Sequence, residues 1–258
     1  MVIAPRLSKQ QHGFLSNRCI ESNLMEFVNY VHEGFEQGLQ VDVFYGDMAK
    51  AFDVVHQPLF IRKISRFPIS NQTLHWLNSY SSNRKQVVKV NSSFSNPFTA
   101  HSAIGQGTIC GPLMFLSFFD DSDRGNEHLR IFNFADDKKI ALKIKGQNDT
   151  QLLQKGIDNF IQWCDENGMT VNAKKCKIMT FSHKRSPINA VYTIKGEQIE
   201  RVYEMRDLGV IMDSKLSFNS HREYAKKKAD ARLAFVKREC FKTLNLDNAK
   251  LLYGSLAR

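Results

Sequence analysis

The stretch FNFADDKKIALKI, residues 132–144, contains two adjacent aspartates between two segments that are rich in strand-forming residues. Segments 129–134 and 138–144 are predicted to be strands, and the polar ADDK between them is typical of a tight turn. The sequence therefore predicts a hairpin with Asp136 and Asp137 at its tip, where their like charges repel. Paired aspartates occur in ordinary turns and are also suited to binding a cation, so the hairpin alone leaves both interpretations open.

A third carboxylate ends another predicted strand, QVDVFYGD at 40–47. If this strand lies beside the hairpin, Asp47 meets Asp136 and Asp137 at one edge of a sheet. Three close carboxylates are unstable unless a cation neutralises them, and hard divalent ions such as Mg²⁺ prefer oxygen ligands. Two such ions about 3.5–4 Å apart can stabilise the attacking and leaving oxygens of a phosphoryl displacement.

A glycine-rich segment, SAIGQGTICGP at 102–112, lies between the two acidic positions. Gly105, Gly107 and Gly111 allow a backbone to approach a ligand closely, and Gln106 offers both donors and an acceptor. A plain loop between a strand and a helix would explain the same composition.

The remaining patterns mix helices and strands without a regular βαβ alternation, which predicts an α+β fold. Helices are expected at about 57–66, 70–80 and 150–167, and an apolar, buried helix is expected to follow Gly111-Pro112. A last helix at about 220–240 has an apolar stripe that we expect to face inward, formed by Ala225, Ala229, Leu233, Val236 and Cys240.

The net charge of +10 is concentrated in the C-terminal third of the chain. Residues 1–173 contain 17 basic and 17 acidic residues, whereas residues 174–258 contain 19 basic and 9 acidic ones. This asymmetry favours a polyanionic partner, nucleic acid first, although a solvated basic face would give the same composition.

Composition also argues against two classes of protein, those that span a membrane and those built on disulfides or structural zinc. No apolar run approaches the roughly 20 residues of a membrane span, so a membrane partner is not expected. The five cysteines include no CxxC pair, which favours reduced thiols in a cytosolic or nuclear setting over a disulfide or zinc framework.

Several motifs, taken together, resemble the reverse transcriptase domain of non-LTR retrotransposons, the long interspersed elements, and in particular their Jockey-like group. The resemblance runs from QHGF at 11–14 almost to the C-terminus. The similar segments follow in the family's order: DMAKAFDVVH at 47–56, IGQGTICGPLMF at 104–115, FADD at 134–137, WCDENGMTVNAKKCKIMTF at 163–181 and RDLGVIMDSKLSF at 206–218.

The resemblance implies a role for each matching residue. Asp47, Asp136 and Asp137 match the catalytic carboxylates that bind two Mg²⁺ ions, for which Mn²⁺ can substitute. Phe52 matches the bulky residue that excludes a ribose 2′-OH. The remaining matches are Gln106 and Gly107, which line the new base pair and template, and Lys175, which assists the pyrophosphate side, with Lys174 as a one-place alternative.

The implied fold is a right-hand polymerase with a ferredoxin-like antiparallel palm sheet, partial fingers and a partial helical thumb. The reverse transcriptase domain would cover 1–212, with a fingers remnant at about 1–39 and 58–100 and the palm at about 40–57 and 101–212. The basic thumb would cover 213–258, where the residues expected to contact nucleic-acid phosphates are Lys226, Lys227, Lys237 and Arg238.

The implied activity is RNA-directed DNA polymerisation on an RNA template, from a DNA primer or target and dNTPs, in the nucleus or cytoplasm. Because the family's fingers begin well upstream of Gln11, the resemblance predicts a fragment of a retroelement. Two alternatives stay open: an inactive relic that at most binds nucleic acid, and an RNA-templated RNA polymerase, against which Phe52 argues.

Overall fold

The structure, a computed structural model, describes residues 3, 6–82, 84–100, 102, 104–105, 107–243, 250–251 and 253–255, with the backbone alone at 100 and 240–243. The chain divides into two units, Met1–Val202 and Tyr203–Arg258. The predicted boundary between the reverse transcriptase domain and the thumb, at residues 212 and 213, stays a prediction, because a division by compactness does not define polymerase subdomains.

The helices of the first unit are α1 Ile20–Glu36, α2 Gln57–Ile64, α3 Asn71–Ser81, α4 Gly111–Phe119 and α5 Gln147–Glu166. Its strands are β1 Gln40–Gly46, β2 Arg84–Gln86, β3 Lys89–Val90, β4 Ser93–Phe94, β5 Phe98–Ala100, β6 Arg130–Phe134, β7 Asp137–Ile144, β8 Lys177–Phe181, β9 Thr193–Ile194, β10 Glu197–Gln198 and β11 Glu200–Val202. The second unit contains β12 Glu204–Asp207, β13 Val210–Asp213 and α6 Asn219–Thr243.

The central sheet of the first unit has the strand order β11–β8–β1–β7–β6. Its pairs are antiparallel except for the edge strand β11, which runs parallel to β8. The register of β1 and β7 runs from Gln40 opposite Ile144 to Gly46 opposite Lys138. The hairpin predicted from residues 129–144, and its position beside the upstream strand, are thereby confirmed.

Helices α1 and α5 cover opposite faces of this sheet. The ring of Phe27 on α1 lies 6.4 Å from that of Tyr45, and the ring of Phe160 on α5 lies 6.4 Å from that of Phe44. Because adjacent residues of a strand point to opposite faces, Phe44 and Tyr45 place the two helices on opposite sides. All seven residues of β1 are buried, so this strand forms the centre of the core.

The apolar helix α4 is buried along most of its length, as the sequence predicts. Seven of its nine residues are buried. Pro112 occupies the first turn, where its missing N–H leaves no hydrogen bond unmade. This helix packs in the same apolar core as Phe44 of β1 and the inner face of α5.

In the second unit, β12 and β13 form an antiparallel hairpin that is followed by α6. The prediction of an inward apolar stripe on α6 is wrong for Ala225, Ala229 and Leu233, which are exposed, whereas Val236 is buried. The side chain of Cys240 lies outside the described residues. For two of these positions the reason is size: alanine offers little apolar surface, so burying Ala225 and Ala229 would stabilise the unit only weakly.

Two further expectations concern composition. None of the helices that the structure describes is both long enough and apolar enough to cross a membrane. The cysteines whose side chains it describes, Cys19, Cys110, Cys164 and Cys176, are free thiols.

Candidate active site at one end of the sheet

Strand pairing brings the predicted carboxylates to one end of the sheet, which we call the carboxylate end. Asp47 directly follows β1, whose last residue Gly46 lies opposite Lys138. Asp137 precedes Lys138 at the start of β7, and the turn residue Asp136 precedes Asp137. The three aspartates therefore lie where adjacent strands begin and end, as the sequence predicts for their backbone positions.

The electrostatics of this end show that two of the carboxylates interact. Burial raises the pKa of Asp136 above its usual range, and the negative charge of Asp47 raises it further. Oδ2 of Asp47 is buried and accepts no hydrogen bond. The cation next to it is the ammonium of Lys175, whose Nζ lies 3.7 Å from Oδ2. The two neighbouring carboxylates, Asp47 and Asp136, are therefore an unfavourable arrangement that a bound cation would relieve.

The segment that follows α5 fixes the position of Asp47. The Ala49 N–H donates to the Thr170 carbonyl at 2.8 Å, and the Asn172 N–H donates to the Asp47 carbonyl at 2.9 Å. The Asp47 N–H in turn contacts Sγ of Cys176 at 3.4 Å, a buried thiol whose pKa is raised by burial. Lys175 reaches Asp47 because these contacts hold its segment against the end of β1.

The turn between β6 and β7 is strained at Ala135, whose φ is +55°. This left-handed conformation costs a residue with a Cβ roughly 1–2 kcal/mol. The Ala135 N–H donates to Oε1 of Gln11 at 2.8 Å, so a distant segment supports the turn. The role of Gln11 was not predicted from the sequence. The QHGF motif drew attention to this segment, but it did not indicate which part of the chain Gln11 contacts.

Of the residues predicted to line the nucleotide and template, the structure describes Phe52 and Gly107. Phe52 is half-buried, with its ring stacked on that of Phe115 at 4.2 Å, and its carbonyl accepts from the Ile104 N–H at 2.9 Å. Gly107 adopts φ +74°, which glycine tolerates, and a Cβ there would meet open space. Gln106 lies outside the described residues. The hydrogen bond to Ile104 ties the first acidic motif to the glycine-rich segment.

The residues predicted to contact phosphates lie on α6 of the second unit. Lys226, Lys227, Lys237 and Arg238 are all exposed, as side chains that bind a polyanion must be. Their role stays a prediction.

The donor chemistry of the carboxylate end fits a hard divalent cation. The site offers carboxylate oxygens, one of them buried without a hydrogen-bond partner, and these are the ligands that Mg²⁺ prefers. In the part of the chain that the structure describes, however, no three His, Cys, Asp or Glu side chains are grouped as a metal site. Asp47 and Asp136 are brought together, while Asp137 is exposed at the start of β7.

Comparison with solved structures defines the class of fold. An apo telomerase from Candida tropicalis, truncated from its C-terminal domain, matches 82% of this chain and 40% of its own with a TM-score of 0.55 and 12% identity. A telomerase of the same species, in complex with a TWJ fragment of telomeric RNA, matches 82% of this chain and 33% of its own with a TM-score of 0.58 and 11% identity. The fold is thus the α+β right hand of polymerases.

Comparison of sequences then gives the family. Residues 1–237 match the family described as reverse transcriptase (RNA-dependent DNA polymerase), and the chain belongs to it. The RNA-directed DNA polymerase from mobile element jockey of Drosophila funebris is 28% identical over 83% of this chain, and that of Drosophila melanogaster is 27% identical over 85%. The resemblance to Jockey-like reverse transcriptases is thereby confirmed. The chain spans about a quarter of the length of these relatives.

The raised pKa of Asp136 predicts how stability depends on pH. Between the unfolded-state pKa, about 3.9, and the higher folded-state pKa, the folded protein binds more protons, so stability falls as pH rises through this window. In chelator-treated buffer we expect Asp136→Asn to raise the free energy of unfolding at neutral pH, with the gain vanishing at acid pH. Urea unfolding across pH measures this.

The control is Asp158→Asn, which removes an exposed carboxylate of α5. We expect its effect to stay within about 0.5 kcal/mol at every pH. A gain for Asp136→Asn that does not change with pH would contradict the assigned electrostatics.

Proposed function

We propose that this chain is the RNA-directed DNA polymerase domain of a retrotransposon, adding deoxynucleotides to a primer 3′-OH. The observation that carries the proposal is the placement of Asp47 and Asp136 at one end of the paired strands β1 and β7, in a member of the reverse transcriptase family. The proposed partners are an RNA template, a DNA primer or target, and dNTPs. The telomerase of similar fold that was solved with an RNA fragment agrees with a nucleic-acid partner.

Asp47, Asp136 and Asp137 would hold two divalent cations, Mg²⁺ or Mn²⁺. Such ions, when bound, supply the positive charge that stabilises the attacking and leaving oxygens of phosphoryl transfer. Asp47 contributes a buried oxygen that no hydrogen bond satisfies, and its backbone carbonyl accepts from the Asn172 N–H while its N–H contacts Sγ of Cys176. Lys175, 3.7 Å from that oxygen, would exchange Asp47 for the phosphates of the incoming nucleotide.

Phe52, Gln106 and Gly107 would form the pocket for the nucleotide and the template base. The Phe52 ring is held by stacking on Phe115, so it cannot swing away from a ribose at no cost. Gly107 leaves open space where a side chain would otherwise project. The exposed cations of α6 would bind the phosphates of the primer–template duplex without reading its sequence.

We expect the purified protein to extend a DNA primer on an RNA template in Mg²⁺ or Mn²⁺. Asp136→Asn removes a charged metal ligand while preserving size, so kcat should fall by at least about 10²–10³-fold. Gel-based primer extension measures the rate, with Asp158→Asn as the matched control that keeps it. Undiminished extension by Asp136→Asn would refute the site assignment.

Phe52 predicts the choice of sugar. Phe52→Val removes the ring that would meet a ribose 2′-OH, so the preference for dNTPs over NTPs should fall by about 10- to 100-fold. Phe52→Tyr keeps the ring and should keep the preference. The ratio of kcat/KM values for the two nucleotide types measures it, and a wild type that prefers NTPs would indicate an RNA-templated RNA polymerase instead.

The basic residues of α6 predict a salt dependence. Each phosphate that a lysine neutralises contributes about 0.9 to the slope of log K against log salt, so Lys226→Ala with Lys227→Ala should lower the slope by up to about 2. Duplex binding measured at several salt concentrations gives the slope. The exposed pair Lys184 and Arg185, replaced in the same way, should leave the slope unchanged; equal slopes for both double variants would contradict the assignment.

A second candidate function is a non-catalytic relic that binds nucleic acid. It is favoured by the lack of a group of three metal-ligating side chains within the described ranges. Salt-sensitive duplex binding without any nucleotide addition, in Mg²⁺ and in Mn²⁺, would establish it over the polymerase.

A further inference from the structure

A short N-terminal segment, Gln10–Gly13, lies alongside β6 and reaches the turn of the hairpin. Gln11 forms a parallel bridge with Asn133. The His12 N–H donates to the Asn133 carbonyl at 2.9 Å, and the Asn133 N–H donates to the Gln10 carbonyl at 3.0 Å. The segment thus extends the sheet at its β6 edge, two residues before the strained Ala135.

The side-chain amide of Gln11 binds the turn itself. Its Oε1 accepts from the Ala135 N–H at 2.8 Å and from the Gly13 N–H at 2.7 Å, while its Nε2 donates to the Ala135 carbonyl at 3.3 Å. One amide therefore binds both polar groups of the Ala135 backbone. Gln11 is only 4% exposed, so water cannot readily replace these bonds.

Gly13 makes the approach of this segment possible. A Cβ at this position would lie 2.5 Å from the Ala135 nitrogen, a backbone atom that cannot move without moving the turn. His12, which lies between Gln11 and Gly13 in the sequence, is buried, and its Nδ1 is 2.7 Å from Oγ of Ser22 on α1. The segment is thus anchored to α1 on one side and in contact with the turn on the other.

We propose that Gln11 is a positioning residue for the Asp136 carboxylate, acting through the Ala135 turn. The left-handed conformation of Ala135 is disfavoured for a residue with a Cβ and persists only where its surroundings impose it. The two-residue hairpin turn calls for a positive φ at Ala135, Gln11 stabilises it by binding both polar groups of the Ala135 backbone, and Asp136 is the next residue along the chain. The catalytic consequence rests on the proposed polymerase function, whereas the support of the turn does not.

The chain offers a matched control for the Gln11 amide. Gln40 is fully buried, and its side chain also binds both backbone groups of one residue, Ile188, through Nε2 at 2.9 Å and Oε1 at 2.7 Å. Gln40 begins β1, so it lies at the opposite end of the strand from Asp47. Nε2 of Gln40 also donates to Oδ1 of the buried Asp42 at 3.1 Å, so Gln40→Ala removes at least as many buried hydrogen bonds as Gln11→Ala, but only Gln11→Ala removes bonds to the turn.

The first measurement is amide hydrogen exchange by NMR in the full chain, with rates corrected for global stability. We expect exchange at the Ala135 N–H to accelerate at least about 10-fold in Gln11→Ala and to stay unchanged in Gln40→Ala. The second is Mn²⁺ binding, followed by broadening of the Asp136 amide signal; we expect Gln11→Ala to weaken it about 10- to 100-fold. In primer extension, kcat should fall similarly while KM for dNTP is kept.

A second variant covers the case in which Gln11→Ala does not fold. Gly13→Ala keeps every hydrogen-bonding group but displaces the turn, so it should weaken Mn²⁺ binding as Gln11→Ala does. Gly146→Ala is its control, because a Cβ there meets nothing within 4 Å and φ is −161°.

Unchanged Ala135 exchange and Mn²⁺ binding in the Gln11 and Gly13 variants would overturn the proposal. So would equal effects of Gln11→Ala and Gln40→Ala, since these would show a general effect on stability. If the wild type extends no primer but Ala135 exchange and Mn²⁺ binding respond as expected, the polymerase function fails while the positioning role of Gln11 stands.

Discussion

The antiparallel pairing of β1 with β7 is the constraint on which the arrangement of the carboxylate end depends. It brings Asp136 within electrostatic reach of Asp47, and burial together with the negative charge of Asp47 raises the pKa of Asp136. The neighbouring carboxylates destabilise the fold, whereas aromatic side chains such as Phe27 and Phe160, packed on the two faces of the sheet, stabilise it. Proteins commonly retain such destabilising pairs where function requires them.

Each of the two carboxylates is held by a separate segment. The chain after α5 fixes the backbone of Asp47 through Ala49 and Asn172, and Gln11 fixes the turn that carries Asp136. Both supports bind backbone groups, so they set the position of the main chain and leave the carboxylate oxygens available to a ligand. This division suits a site that must hold its geometry before a cation is bound.

Local patterns in the sequence predicted the elements that build the site, because periodicity and turn composition are local properties. The hairpin, the strand before Asp47 and the buried helix α4 follow from them. Gln11 could not be predicted, since its partner Ala135 lies 124 residues away. The buried state of Lys138 and Lys139 was equally hidden, because lysine is usually exposed and its partners here come from other elements.

Those two lysines have a consequence for the alignment of the hairpin. Lys138 binds Asp123 and Asn133 on one face of the sheet, and Lys139 donates to Asn23 on the other at 2.9 Å. If β7 slipped by one residue, each ammonium would move to the wrong face and leave its partner behind, at a cost of several kcal/mol per ion. The two lysines therefore fix the register of β7, and with it the position of the aspartates at the carboxylate end.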